Sequence, residues 1–130
     1  NICIMLSQTQ EDYLEVIYLI TQAKKTVQSK DIALKMAVSL AFVTKILRLL
    51  AAKHLIDYTP YMPVLLTEKG ILLARRLVGK HNLLKAFFQK ALAIDGQQAE
   101  EYACHLEHIA SEEMLEKCAV FLDRQTKAKI

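Results

Sequence analysis

One short stretch constrains this chain more than any other. Leu55-Ile56-Asp57-Tyr58-Thr59 is rich in strand formers, Pro60-Tyr61-Met62-Pro63 interrupts it, and Val64-Leu65-Leu66 resumes it. That pattern is a β-hairpin, and its meaning comes from what precedes it. Ser29 caps a short helix over residues 30–37, with Ile32, Ala33 and Met36 facing inward. A tight turn around Val38-Ser39 leads into a second helix over residues 41–54, whose buried stripe is Val43, Ile46, Leu47 and Leu50. Two helices with such a joint are common in small helical domains. Two helices followed directly by a hairpin form a winged helix-turn-helix, which is far more specific.

The rest of the chain reads as helix. It is 53% hydrophobic with three Gly and two Pro in 130 residues, so little of it is punctuated. Thr9 is the expected N-cap of a first helix reaching about residue 23, with Glu11 and Asp12 in its acidic first turn. Residues 24–28 read as a polar connection. Thr67 caps a long helix over residues 68–94 that is apolar almost all round: Leu72, Leu73, Leu77, Val78, Leu83, Leu84, Phe87, Phe88 and Leu92. So much apolar surface calls for a partner subunit. Asp95-Gly96 breaks the chain, a helix around Cys104 follows, and Ser111-Glu112-Glu113 starts a last helix to about residue 124, with a frayed tail beyond. The predicted fold is mainly α. A winged helix-turn-helix with a small β-hairpin wing occupies residues 1–70, and an all-helical dimerisation domain residues 71–130.

Charge suggests what the wing and its helices meet. The net charge is only +3, but thirteen of the seventeen Lys and Arg residues lie between residues 24 and 90, where Asp31, Asp57 and Glu68 are the only acids. A basic middle between acidic ends fits a nucleic-acid face, although an ordinary solvated Lys/Arg surface has the same composition. Thr44, Lys45 and Arg48 point away from the buried stripe of the second helix, which Ser39 begins. The wing has no Lys or Arg, so phosphate contacts fall to Lys30, Lys35, Lys45, Arg48 and Lys53. Phe42 either reaches thymine methyls or belongs to the core. No apolar run approaches the length of a membrane span, and no secretory signal is visible. Met5 is read as the native start. Cys3, Cys104 and Cys118 are odd in number and unrelated in spacing, which fits a reducing, cytoplasmic setting and not a disulfide framework.

Cys104, Glu107 and His108 fall on one helical face, with Glu100 one turn earlier. A thiolate, a carboxylate and an imidazole on successive turns can hold a transition-metal ion. The same spacing fits a small buried Cys104 beside an exposed Glu107–His108 pair. Asp12 and Glu15 also share a face, as metal ligands or as simple partners of the helix dipole. An enzyme with Cys104 as nucleophile and His108 as base would need an oxyanion-binding loop, and no Gly-rich turn accompanies the pair, so a non-enzymatic role is expected.

Taken in order, residues 9–123 resemble the DtxR/MntR family of metal-dependent bacterial repressors. The resemblance rests on Glu11-Asp12-Tyr13-Leu14-Glu15 with Ile17-Tyr18, on Leu66-Thr67-Glu68-Lys69-Gly70, on Arg76-Leu77-Val78-Gly79-Lys80-His81, and on Cys104-x-x-Glu107-His108 followed by Ser111-Glu112-Glu113. It implies a homodimer that binds palindromic operator DNA when metal is present and represses metal-uptake genes. It implies metal ligands at Asp12, Glu15, His81, Cys104, Glu107 and His108. DNA contacts are expected, from the polar and basic positions of the helix pair, at Lys30, Lys35, Ser39, Thr44, Lys45 and Arg48. Asp12 and Glu15 resemble the manganese-responsive branch and Cys104 the iron-responsive one. The thiolate among hard ligands favours Fe²⁺ over Mn²⁺, with Zn²⁺ or Co²⁺ able to substitute. The ancillary site of iron-type members is matched at His81, whereas Lys85 stands where a carboxylate is expected and Glu100 where a His is expected. A short member without the SH3-like third domain of the iron regulators is expected. The alternative is a winged-helix regulator that no longer depends on metal.

Overall fold

The computed structural model describes residues 6–128, so Cys3, the expected start at Met5 and the last two residues of the tail lie outside the described residues. Six helices and one hairpin follow in order: α1 (Gln8–Lys24), α2 (Ser29–Met36), α3 (Leu40–Ala52), β1 (Ile56–Asp57), β2 (Leu65–Leu66), α4 (Glu68–Ala91), α5 (Gly96–Leu106) and α6 (Glu112–Ala128). This is the mainly helical, winged architecture that the sequence predicts. The chain divides into two compact units, with the division falling within α4 after Arg75.

The first unit holds the helix-turn-helix and its wing. α1 begins two residues earlier than expected. Ser7, not Thr9, is the N-cap: its hydroxyl accepts from the Gln10 backbone N–H at 3.1 Å, and the Gln10 side chain accepts from the Ser7 N–H at 3.2 Å. This reciprocal capping box satisfies two N–H groups that the helix itself leaves unbonded. α2 is entered through Asp31, whose carboxylate accepts from the Gln28 backbone N–H at 2.9 Å and pairs with Lys24 at 3.0 Å. α3 is capped by Ser39, whose hydroxyl accepts from the Phe42 N–H at 3.2 Å. The stripe Val43, Ile46, Leu47 and Leu50 is buried as its spacing requires, and so are Leu14 and Ile17 of α1 and Ile32 of α2. Phe42 falls between its two expected readings: it is partly exposed, and its ring stands edge-on to Tyr13 at 6.0 Å.

The hairpin is antiparallel, with Ile56 opposite Leu66 and Asp57 opposite Leu65. Residues 24–28 are more than a polar connection. Val27 is fully buried and bridges Val64, whose N–H donates to the Val27 carbonyl at 2.7 Å. The Leu66-Thr67-Glu68-Lys69-Gly70 motif fastens the wing to the end of α3. The Thr67 hydroxyl donates to the His54 carbonyl at 2.7 Å and accepts from the Gly70 N–H at 3.0 Å, while the Thr67 N–H donates to the Leu55 carbonyl at 3.0 Å.

The second unit consists of the rest of α4 with α5 and α6. Its core gathers Leu84, Phe88, Ala99, Ala103, Leu115 and Cys118, with Leu83 and Phe87 packed against it. Burial pushes the Cys118 thiol above its ordinary pKa, so it stays a neutral apolar group there. Asp95 caps α5 by accepting from the Gln98 N–H at 3.0 Å, and Ser111 caps α6 by accepting from the Met114 N–H at 3.1 Å. α6 continues to Ala128, four residues past the expected frayed end. Leu92, Tyr102, Ile109, Val120 and Phe121 remain exposed on this unit. No helix among the described residues is long and apolar enough to cross a membrane.

Candidate metal centre and nucleic-acid interface

Within the second unit, three of the expected ligands converge. His81 comes from α4, while Glu107 and His108 follow the last turn of α5. α5 ends at Leu106, but Glu107 keeps helical backbone angles and its N–H still donates to the Ala103 carbonyl at 3.0 Å, so the helical spacing is preserved. Glu107 is a buried carboxylate, with 1% of its side chain exposed. The Nδ1 of His81 lies 3.4 Å from Glu107 Oε1, and Nε2 of His108 lies 3.8 Å from the same oxygen. The His108 side chain is 4% exposed and that of His81 15%. A buried carboxylate is costly unless cations or donors offset its lost hydration. Here two imidazoles flank it.

A carboxylate and two imidazoles are donors of the kind that a divalent transition-metal ion accepts. With bonds of about 2.1 Å, neighbouring ligand atoms around such an ion stand about 3.0–3.4 Å apart, and His81 Nδ1 and Glu107 Oε1 already have that separation. The Nδ1 of His81 makes no hydrogen bond. The other imidazole nitrogen, Nε2, donates to Glu100 Oε1 at 2.9 Å, and Glu100 Oε2 receives Lys85 Nζ at 3.0 Å. The Lys85 ammonium, with His81 adding to it, holds the Glu100 carboxyl below its usual pKa, against the opposing effect of partial burial.

Cys104 is exposed on α5, one turn before His108, so it is not the small buried residue of the alternative reading. Nor are Glu107 and His108 an exposed pair. In the first unit, Asp12 and Glu15 sit one turn apart on α1, both partly buried. Asp12 and burial together raise the pKa of the neighbouring Tyr13 phenol, burial contributing more.

The expected DNA-contacting residues form a second feature of the first unit. Lys30, Thr44 and Arg48 line a concave groove of about 540 Å³, together with Leu40 of α3 and Tyr58, Pro60, Tyr61 and Met62 of the wing. The groove therefore has a basic helical wall and an apolar wing wall. Lys35, Ser39 and Lys45 are exposed on α2 and α3 outside it. The Thr44 hydroxyl donates to the Leu40 carbonyl of its own helix at 3.0 Å. Sequence reasoning did not place Tyr58, Pro60, Tyr61 or Met62 at this surface, because their lack of charge gave no signal for nucleic acid.

Comparison with known proteins finds two family domains along the chain. Residues 5–64 match the iron dependent repressor, N-terminal DNA binding domain, and residues 67–128 match the iron dependent repressor, metal binding and dimerisation domain. An uncharacterised HTH-type transcriptional regulator of Methanocaldococcus jannaschii is 36% identical over 120 residues, which are 92% of this chain and 96% of that protein. The HTH-type transcriptional regulator MntR of Bacillus subtilis is 32% identical over 104 residues, 80% of this chain and 72% of that protein. Among solved structures, the manganese regulator SloR is 33% identical with a TM-score of 0.76, covering 88% of this chain and 53% of that one. The chain thus spans about half the length of that solved structure.

Proposed function

The chain belongs to the iron-dependent repressor (DtxR/MntR) family of DNA-binding transcription regulators, and on that premise we propose that it is a metal-dependent repressor of iron or manganese uptake genes. The family is one of regulators and not of enzymes. The observation that carries the reading is the buried Glu107 carboxylate between the imidazoles of His81 and His108, in the domain that matches the family's metal-binding part.

On this reading His81, Glu107 and His108 of the second unit, Asp12 and Glu15 of α1, and Cys104 together hold one divalent ion. The ion supplies positive charge that offsets the gathered carboxylates. The chain's own residues do the rest. An ion that binds one arrangement of its ligands better than the others selects that conformation from several. Lys30, Lys35, Lys45 and Arg48 meet phosphates, and Ser39 and Thr44 begin the helix that enters the major groove. The exposed apolar residues of the long helix α4 and of α5 and α6 make the homodimer contact, and two-fold symmetry sets a palindromic operator. The setting is cytoplasmic. Fe²⁺ is the favoured ion over Mn²⁺, and Zn²⁺ or Co²⁺ substitutes.

Purification without chelator followed by elemental analysis, with operator binding measured with and without each metal, tests the reading. Metal-dependent affinity supports it. Equal affinity in chelator favours a metal-independent winged-helix regulator.

A further inference from the structure

His81 is held at both ring nitrogens in different ways. Its Nε2 faces Glu100 Oε1 at 2.9 Å, and a carboxylate only accepts, so the imidazole donates there through Nε2–H. Its Nδ1 makes no hydrogen bond and faces Glu107 Oε1 at 3.4 Å. With the proton committed to the Glu100 side, the Nδ1 lone pair of the neutral ring is turned toward the buried carboxylate. Two electron-rich atoms at that separation are suited to a cation between them. The remaining oxygen of Glu100 is taken by the Lys85 ammonium at 3.0 Å. Lys85 thus has two effects. It pairs with Glu100, and it leaves positive charge beside the oxygen that a second metal ion would need.

We propose that Glu100 is a positioning residue that fixes the tautomer and orientation of His81 for metal binding, and that Lys85 excludes a second ion, so that each chain holds one ion. The proposal deepens the metal-repressor reading and rests on it. A carboxylate that accepts the far N–H of a metal-bound imidazole orients the ring and strengthens it as a ligand; losing such a partner lowers metal affinity about 10–100-fold. Lys85 lets Glu100 serve in that way and not as a ligand, because its second oxygen is already paired with a cation.

Two measurements test this. In metal-free protein, long-range ¹H–¹⁵N spectra of the histidine rings should show the Nε2–H tautomer at His81, and Glu100→Leu should lose that preference. In calorimetric titration with Co²⁺, the wild type should take one ion per chain. Glu100→Leu should bind it about 10–100-fold more weakly, while Glu100→Gln, whose amide oxygen accepts the same hydrogen bond, should stay near wild type. Lys85→Glu, which removes the ammonium and adds a carboxylate, should take two ions. Circular dichroism identifies any variant that fails to fold, and the wild-type tautomer and stoichiometry stand without the variants. An Nδ1–H tautomer, two ions in the wild type, unchanged affinity in folded Glu100→Leu, or one ion in Lys85→Glu would each overturn the proposal while leaving the metal centre in place. A wild type that binds no Co²⁺ would instead overturn the metal centre itself, and the assigned stoichiometry with it.

Discussion

Gly70 lies directly beneath the carbonyl of Leu55, where a Cβ would fall far inside van der Waals contact with the Leu55 oxygen. That carbonyl also accepts the Thr67 N–H, so it cannot shift without loosening the joint between wing and α4. Gly70→Ala gains about 1 kcal/mol of helix propensity but forces backbone apart in a packed region, which costs about 1–3 kcal/mol and occasionally more. Because the clash is with backbone, the cost falls at the upper end of that range, and the expected net effect is a destabilisation of about 2 kcal/mol or more, read as a lower urea midpoint. A variant as stable as wild type would show that the joint yields easily.

The entry to α2 should be sensitive to acid. The Asp31 carboxyl sits below its ordinary pKa, mainly because it accepts the Gln28 backbone N–H and then because of Lys24. A pKa lowered by folding stabilises the fold above the unfolded carboxylate range, and that contribution disappears as pH falls through the lower folded value. Asp31→Asn should therefore be less stable than wild type near neutral pH, and the two should converge in acid. Parallel stability curves across that range would rule out this role.

Helix interiors were legible in the sequence, as were the starts of α4 after Thr67 and of α6 after Ser111, but several C-terminal ends were not. The stripe Val43, Ile46, Leu47 and Leu50 follows from spacing alone. Three expected helices overran their C-termini, however, because the residues that turn the chain there are Ala37, His54 and Ala93, all at positive φ. No glycine among the described residues occupies that region, so the usual helix-stop signal was missing. At each end a backbone N–H closes the turn: Val38 to the Ala33 carbonyl, Leu55 to Leu50 and Ile94 to Phe88. The site was legible in the same uneven way. Spacing joined Glu107 to His108 but gave no sign that Glu107 is buried and Cys104 exposed. The Lys85–Glu100–His81 chain links α4 to α5, and periodicity within one helix cannot reveal contacts between two.

DNA binding should depend on Lys45 and Arg48, both exposed on α3. Each phosphate contact removed by Lys45→Ala or Arg48→Ala should reduce the slope of log affinity against log salt by about one unit. Loss of a base contact should instead relax specificity by about 1–3 kcal/mol at one position. If both variants keep the operator affinity and salt dependence of wild type, the DNA face lies elsewhere.

Metal should stabilise the fold and enable DNA binding together. An ion present at a hundred times its dissociation constant adds about 2.7 kcal/mol to the form that binds it. Asp12→Ala, Glu107→Ala and His108→Ala should each abolish the metal-induced rise in Tm along with metal-dependent operator binding. A variant that kept the thermal shift but lost DNA binding would separate two properties that this reading joins.

Cys104 should decide which metal is preferred. Mn²⁺ is the weakest binder of the first-row divalent ions and suits oxygen ligands, whereas a thiolate favours later and softer ions. If the proposed partners of Cys104 are Asp12, Glu15, Glu107 and two imidazoles, one sulfur should tip a mostly hard site toward Fe²⁺. The exposure of Cys104 leaves its thiol open to chemistry that a packed core residue would be denied. Cys104→Glu should restore an oxygen and nitrogen set and shift activation toward Mn²⁺. Cys104→Ser should weaken Co²⁺ binding and remove the thiolate-to-metal charge-transfer band in the near ultraviolet. Both are read under anaerobic, reducing conditions, from Co²⁺ absorption and from operator binding with Mn²⁺ or Fe²⁺. A cobalt spectrum unchanged in Cys104→Ser would remove the sulfur from the ligand set, and the remaining carboxylates and imidazoles would then favour a manganese sensor.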